Sequence, residues 1–242
     1  MADILEDLTY GYQERIMIDV GGHHGSAFSP FLDRNGWEIH TFEPDTINRE
    51  TLEQRFRDDP RVHINAYAVS DTDASRQPIY RSDISSGIST LSPFHPSHRP
   101  VGTVETITLR TYCRVREITD VHYLKTDTEG FDLFVLTGFD WDRYSPLAVM
   151  CEFEDSKTTP LGYNYRDLVE LLTQQGYTVW VSEWSPVTEY GVQHSWLELR
   201  QTPHELTRER SWGNLIALRD PITDNEMQAF VERRITFTPR AK

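Results

Sequence analysis

Asp19 stands at the end of an apolar run, Ile16-Met17-Ile18, and is followed within six positions by Gly21, Gly22 and Gly25. Glycines at a strand end let backbone N–H groups approach a ligand closely. A dinucleotide turn needs G-x-G-x-x-G, with its pyrophosphate on a helix end, and the register here is different. Asp-x-Gly-x-x-x-Gly, with the acid ahead of the glycines, suits a ligand that presents an ammonium, a carboxylate and a sulfonium instead of phosphate. S-Adenosylmethionine is such a ligand. Glu43, in Phe42-Glu43-Pro44, closes the next strand and is placed to take two ribose hydroxyls. Asp19, Gly21, Gly22, His23, Gly25 and Glu43 are therefore expected to bind cofactor. Ala68, through its main chain, is expected near the adenine at the end of the third strand, with Ser70 beside it.

A second group of residues could move a proton. Asp127 and Glu129 follow one strand and Glu152 closes another. Three carboxylates on neighbouring strand ends can orient a hydroxyl, accept its proton or hold a divalent cation. Asp127 ranks first as base or base-orienting group, then Glu152. Glu129 doubles as a cap for its own helix, whose first turn holds Asp132. His24 joins the catalytic candidates because an imidazole titrates near neutrality. His95 and His98 lie in a Pro-rich stretch and read as solvated histidines. Among the C-terminal aromatics, Trp180 alternates with Val179 and Val181 as a core residue would, whereas Trp184 and Trp196 are the better candidates for a pocket wall.

The elements that must position these groups alternate along the chain. Strands are expected at 16–19, 37–42, 62–69, 105–109, 123–127, 147–152, 177–182 and 214–218, with 196–199 as an extra. Helices are expected at 26–35, from Pro44-Asp45 to about 57, at 131–137 and at 165–175, each of the last two ending at a glycine. A further helix is expected after Thr223. This alternation is the pattern of a mostly parallel α/β sheet with helices on both faces. Between 72 and 104 the periodicity fails, and that stretch reads as a partly ordered substrate loop anchored by Ile88 and Leu91. The chain of 242 residues reads as a single domain: an N-terminal extension at 1–14, a cofactor-binding core at 15–182 and C-terminal strands and tail at 183–242.

Composition bounds the partners. A net charge of −14, from 38 acidic and 24 basic residues, disfavours nucleic acid, whose affinity rests on Lys and Arg at phosphates. No run approaches the length of a membrane span. The acidic first fifteen residues show no signal peptide, and Cys113 and Cys151 make no disulfide framework, so a cytoplasmic setting is expected. Oligomeric state is left open.

Four blocks, in order, resemble the FkbM-type methyltransferases: IDVGGHHG (18–25), FEP (42–44), AVSD (68–71) and YLKTDTEGFDLFVLTGF (123–139). SSGISTL (85–91) and VETITL (104–109) are similar to the family's serine-rich segment and following strand, so the likeness spans roughly residues 15–155. Gly22 and His23 replace the usual alanine and asparagine. Thr126 and Thr128 replace two aliphatic residues while keeping a β-branched shape at Thr126, in the strand. The resemblance implies a Rossmann-like class I methyltransferase fold, with a seven-stranded, mostly parallel sheet and an antiparallel C-terminal strand. It also implies S-adenosylmethionine as cofactor and O-methylation of a hydroxyl on a sugar, glycan or secondary metabolite. A divalent cation is compatible with the carboxylates and so is none. Two other classes stand beside this one. They are a nicotinamide-dependent oxidoreductase, weakened by the glycine register, and a non-catalytic cofactor-binding module of a larger glycan-assembly protein.

Overall fold

Residues 16–20 are apolar on consecutive positions rather than alternate ones, apart from Asp19, which is what a strand covered on both faces requires. The computed structural model describes Met1 and residues 12–34, 36–190, 192–220, 222, 223, 225–227 and 229. In it, β1 (Arg15–Val20) is buried from Met17 onward. Met17 enters one apolar cluster with Ile39 and Tyr123, and its neighbour Ile18 enters another with Leu124 and Val149. The two clusters lie on opposite faces because successive side chains of a strand point opposite ways.

Strand β1 pairs in parallel with β2 (Trp37–Phe42) and with β7 (Tyr123–Thr126). Parallel pairing continues outward to β3 (Val62–Asn65) on one side and β8 (Ala148–Glu154) on the other. Beyond β8 lie β11 (Trp212–Leu218), β9 (Thr178–Trp184) and β10 (Trp196–Gln201), each antiparallel to its neighbour. The order β10-β9-β11-β8-β7-β1-β2-β3 makes a mixed sheet of eight strands among the described residues, where seven were expected. The added strand is β10, which Trp196 to Gln201 form by pairing along the outer edge of β9.

Helices fill the crossovers: α1 (Ser29–Leu32), α2 (Thr46–Phe56), α3 (Leu109–Val115), α4 (Asp132–Thr137), α5 (Asp155–Thr158) and α6 (Tyr165–Gln174). Helix α1 is far shorter than the expected 26–35, of which Asn35 lies outside the described residues. Pro30 lies in its first turn, where a residue lacking an N–H is tolerated. Asp45 caps α2 by accepting from Ile47 N at 2.9 Å and Asn48 N at 3.3 Å. Asn164 and Asp167 form a reciprocal capping box on α6.

Two expectations fail in one place. The strand expected at 62–69 breaks after Asn65, and Ala68–Val69 (β4) leave for a second sheet. That sheet, ordered β4-β6-β5, contains β5 (Arg76–Arg81) and β6 (Arg99–Ile107). The stretch 72–104 is thus framed by the paired strands β5 and β6 of an antiparallel hairpin, and the connection between them, which holds a 3-10 turn at Ser86–Ile88, remains irregular. Leu109, expected in a strand, opens α3. The helix expected after Thr223 lies largely outside the described residues, as does most of the 1–14 extension. Among the described residues no helix is long and apolar enough to cross a membrane.

Candidate active site

The carboxyl ends of β1, β2, β7 and β8 and the underside of the hairpin enclose a cavity of about 360 Å³, within the range of small-ligand sites. Gly21, Gly22 and His23 form one wall. Phe42, Glu43, Tyr67, Ala68 and Val69 continue it toward the β3 side, and Asp127, Glu129 and Glu152 face the β8 side. Ile79, Ile88 and Leu91 close it from the hairpin. The expected substrate segment therefore covers the cavity as an ordered element.

Gly21 has φ +82°, and a Cβ there would lie 1.9 Å from the carbonyl oxygen of Asp127. Only glycine lets the first turn pack onto the end of β7 and bring the two parts of the site together. Lys125 locks that contact. Its Nζ donates to the Gly21 carbonyl at 2.9 Å and lies 3.3 Å from Asp19 and 3.6 Å from Asp127. Although the ammonium is buried, the two carboxylates hold Lys125 firmly protonated.

The structure places Asp19, expected among the cofactor-binding residues, behind the turn. It is fully buried, pairs with Lys125 and accepts from Thr41 Oγ1 at 2.9 Å, and it does not line the cavity. It positions the turn from beneath. Gly25 also lies behind the cavity wall, where a Cβ would meet Phe56 at 2.4 Å. Ser70 is buried, sends its Oγ to Asp71 at 3.2 Å and does not line the cavity. His24, expected among the catalytic groups, is absent from the lining too. Its ring stacks on His23 at 3.7 Å, and its carbonyl accepts from Arg55. His23 does face the cavity, with φ 47° and its Nε2 2.9 Å from Ser86 Oγ in the hairpin.

Glu43 lies in the wall, 5% exposed. Its Oε2 accepts from His23 N at 2.8 Å and its Oε1 from Asp45 N at 2.9 Å. Each oxygen keeps a free lone pair, which is what a diol requires. Burial outweighs those two hydrogen bonds and pushes the carboxyl up to about 7.

Asp127, Glu129 and Glu152 each offer a carboxylate oxygen within 4.8 Å of the others, so the sequence candidates do converge. Glu129 has φ 56°, an uncommon backbone conformation for a side chain of its size. The group that sequence reading missed is Lys157, on α5. Its Nζ lies 2.6 Å from Glu129, 2.9 Å from Glu154 and 3.4 Å from Glu152, beneath the rings of Phe94 at 5.0 Å and Tyr190 at 6.0 Å. A divalent cation would draw the carboxylates toward a point that this ammonium already serves, so one positive charge is supplied to the cluster from within the chain. Burial nonetheless pushes Glu152 well above the usual carboxylate range and Glu129 up to about 7. Glu129 and Glu152 share protons and titrate as a unit.

Other expectations resolve around the rim. Trp212, not Trp184 or Trp196, lines the cavity, with Trp184 packed against it at 5.8 Å. Trp180 is in the core, 2% exposed. His98 is buried rather than solvated, its Nε2 2.8 Å from the Ile88 carbonyl, so it braces the hairpin tip.

The family model described as "Methyltransferase FkbM domain" matches residues 19–179. No curated protein matches the chain. Among solved structures it is similar to precorrin-6y C5,15-methyltransferase from Geobacter metallireducens, at 9% identity and TM-score 0.46, over 90% of this chain and 86% of that one. It is also similar to precorrin 8w decarboxylase from Methanobacterium thermoautotrophicum, at 11% identity and TM-score 0.46, over 90% and 88%. An rRNA methylase from Streptococcus thermophilus aligns at 10% identity and TM-score 0.43, over 90% and 92%. Likenesses this distant assign no acceptor.

Proposed function

Because the chain belongs to the FkbM methyltransferase family, whose methyl donor is S-adenosylmethionine, we propose that it transfers a methyl group to a hydroxyl of a sugar, glycan or secondary metabolite. The observation that carries this reading is the Asp127–Glu129–Glu152 cluster facing the cavity beside the glycine turn. An alcohol holds its proton far above neutrality, so O-methylation needs an acceptor group for that proton, and carboxylates supply one. Bound S-adenosylmethionine supplies a methyl group on a sulfonium. Gly21 and Gly22 would hold the donor by main-chain contact, Glu43 by accepting its ribose hydroxyls and Ala68 by main-chain contact near the base. Asp127 orients the acceptor hydroxyl and takes its proton at a carboxylate oxygen. Glu152 and Glu129 share the proton that follows, held in place by Lys157. The hairpin excludes water above them. Positioning of this kind contributes up to ~7–11 kcal/mol in well-oriented reactions.

The acidic balance of the chain supports a small or neutral acceptor over nucleic acid. Buried, unpaired Cys113 and Cys151 suit a reducing, cytoplasmic compartment. The reading treats residues 1–242 as one methyltransferase domain. Its test is incubation of the purified chain with S-adenosylmethionine and a panel of glycosides, polyols and RNA, with products identified by mass and NMR. An O-methyl product lost in Asp127→Asn supports it. A methylated carbon, nitrogen or RNA base overturns the acceptor class, and tight S-adenosylhomocysteine binding with no product from any acceptor favours the non-catalytic module.

A further inference from the structure

On the far side of β2 from the chemistry so far described, three side chains meet. A strand's period of two puts Glu38 and His40 on one face, and the parallel register sets His63 of β3 directly beside His40. Glu38 Oε1 lies 2.7 Å from His63 Nε2 and 3.2 Å from His40 Nε2, and all three ligand atoms fall within 4.8 Å of one another. None of the three lines the cavity.

We propose that Glu38, His40 and His63 bind one zinc-type divalent cation. Two imidazole nitrogens and a carboxylate oxygen are a ligand set zinc accepts, at roughly 2.0–2.2 Å, which places tetrahedral ligand atoms roughly 3.3 Å apart. The two Glu38 distances lie near that spacing, and the imidazoles, stacked at 4.6 Å and 22°, would turn toward the ion on binding. His40 is held from behind, as ligating histidines commonly are. His40 Nδ1 lies 2.8 Å from the Tyr112 hydroxyl, which is itself fixed by a hydrogen bond from Asn65 Nδ2 at 3.1 Å. His40 is almost fully buried, while the Glu38 side chain is 47% exposed and that of His63 30%, so an ion has an entry path and water can supply the fourth ligand. Without an ion, both Nε2 atoms converge on the same Glu38 oxygen. Among the described residues, Arg116 opposes a cation, its Nη2 3.3 Å from His63 Nδ1; it must swing outward when that nitrogen carries the proton.

The location gives the site a task. Strand β3 is the edge of the eight-stranded sheet and is half-buried throughout. An ion bridging His40 and His63 pins that edge to β2, three residues ahead of Glu43. This site does not depend on the methyl-transfer reading.

The test is titration of the metal-stripped full chain with Zn²⁺ by calorimetry and with Co²⁺ by absorption spectroscopy, alongside thermal melting. One equivalent should bind, with the visible band of four-coordinate Co²⁺ and a raised Tm. His63→Gln and Glu38→Gln, both at partly exposed positions, should each weaken binding at least about tenfold and leave S-adenosylhomocysteine affinity unchanged. Arg116→Gln should tighten it. Absence of Zn²⁺ binding at micromolar concentrations overturns the site. So does binding that survives both substitutions, or that is lost instead in Asp127→Asn or Glu198→Gln, which would place the ion at one of the other carboxylate clusters.

Discussion

Glu43 and Lys157 show how a single side chain takes its meaning from what surrounds it. The chain reading placed Glu43 correctly at a strand end, but its raised pKa follows from burial that no spacing reveals. A carboxyl whose two oxygens each accept a backbone N–H and a ribose hydroxyl has no room left for a proton and binds the diol best when ionised. S-Adenosylhomocysteine should therefore bind more weakly as the pH falls through about 7, and Glu43→Gln should abolish that dependence in calorimetric titrations. Glu43→Ala should cost at least about tenfold in affinity, or ~1.4 kcal/mol; an unchanged dissociation constant would remove Glu43 from the site. Glu154 and Glu152 lie near Lys157 in the sequence, but its place in the site was invisible because Glu129, twenty-eight positions away, joins it only through tertiary packing. Removing its charge should turn the carboxylate cluster into a cation site. Lys157→Met is expected to bind Mn²⁺ measurably by electron paramagnetic resonance where the parent chain does not, and equal binding by both would contradict the role given to the ammonium. His24 sits differently from the expectation: a histidine at a glycine turn has the right chemistry, but its ring stacks on His23 and does not itself line the cavity.

At the scale of elements, the parallel core was legible because its strands are apolar, short and punctuated by glycine and proline. The hairpin over the cavity was not. Its strand β6 alternates weakly, is exposed over most of its length and is held by pairing rather than by a buried face. Asp45 ties it down. Besides capping α2, its fully buried carboxylate takes both Arg81 Nε and Nη2 at 2.7 Å and Ser89 Oγ at 2.9 Å, joining helix to hairpin. These partners hold Asp45 below the usual carboxylate range. Asp45→Ala should lose the cap and the ion pair together, ~2–3 kcal/mol by urea denaturation. Asp45→Asn keeps the cap and should cost less. A loss under ~0.5 kcal/mol for the alanine variant would mean that the hairpin is anchored elsewhere.

For the whole molecule, the carboxyls gathered at one edge of the sheet set the pH profile of stability. Glu43, Glu129 and Glu152 all titrate above their ordinary value in the folded chain. Between the unfolded and folded values the native state binds more protons, so their contribution is complete below about 4.5 and is lost as the pH rises through about 7. Urea midpoints should accordingly fall between about pH 5.5 and about pH 8, and the fall should be smaller in Glu152→Gln. A midpoint that rises over that interval would show the carboxylates to be ionised without penalty. What the sequence determined by itself was the local order: apolar strands, glycine turns, caps, and the family carried by blocks whose residues are contiguous. Tertiary structure alone decided which of those residues share a cavity. Asp19 passed beneath the site and Trp212 entered it, Lys125 and Lys157 became the cations of an acidic edge, and Glu38, His40 and His63 met across two strands. The reason is physical. Strand and turn preferences act over a few residues, whereas burial and charge pairing depend on contacts between segments that only the folded sheet brings within a few ångströms of each other.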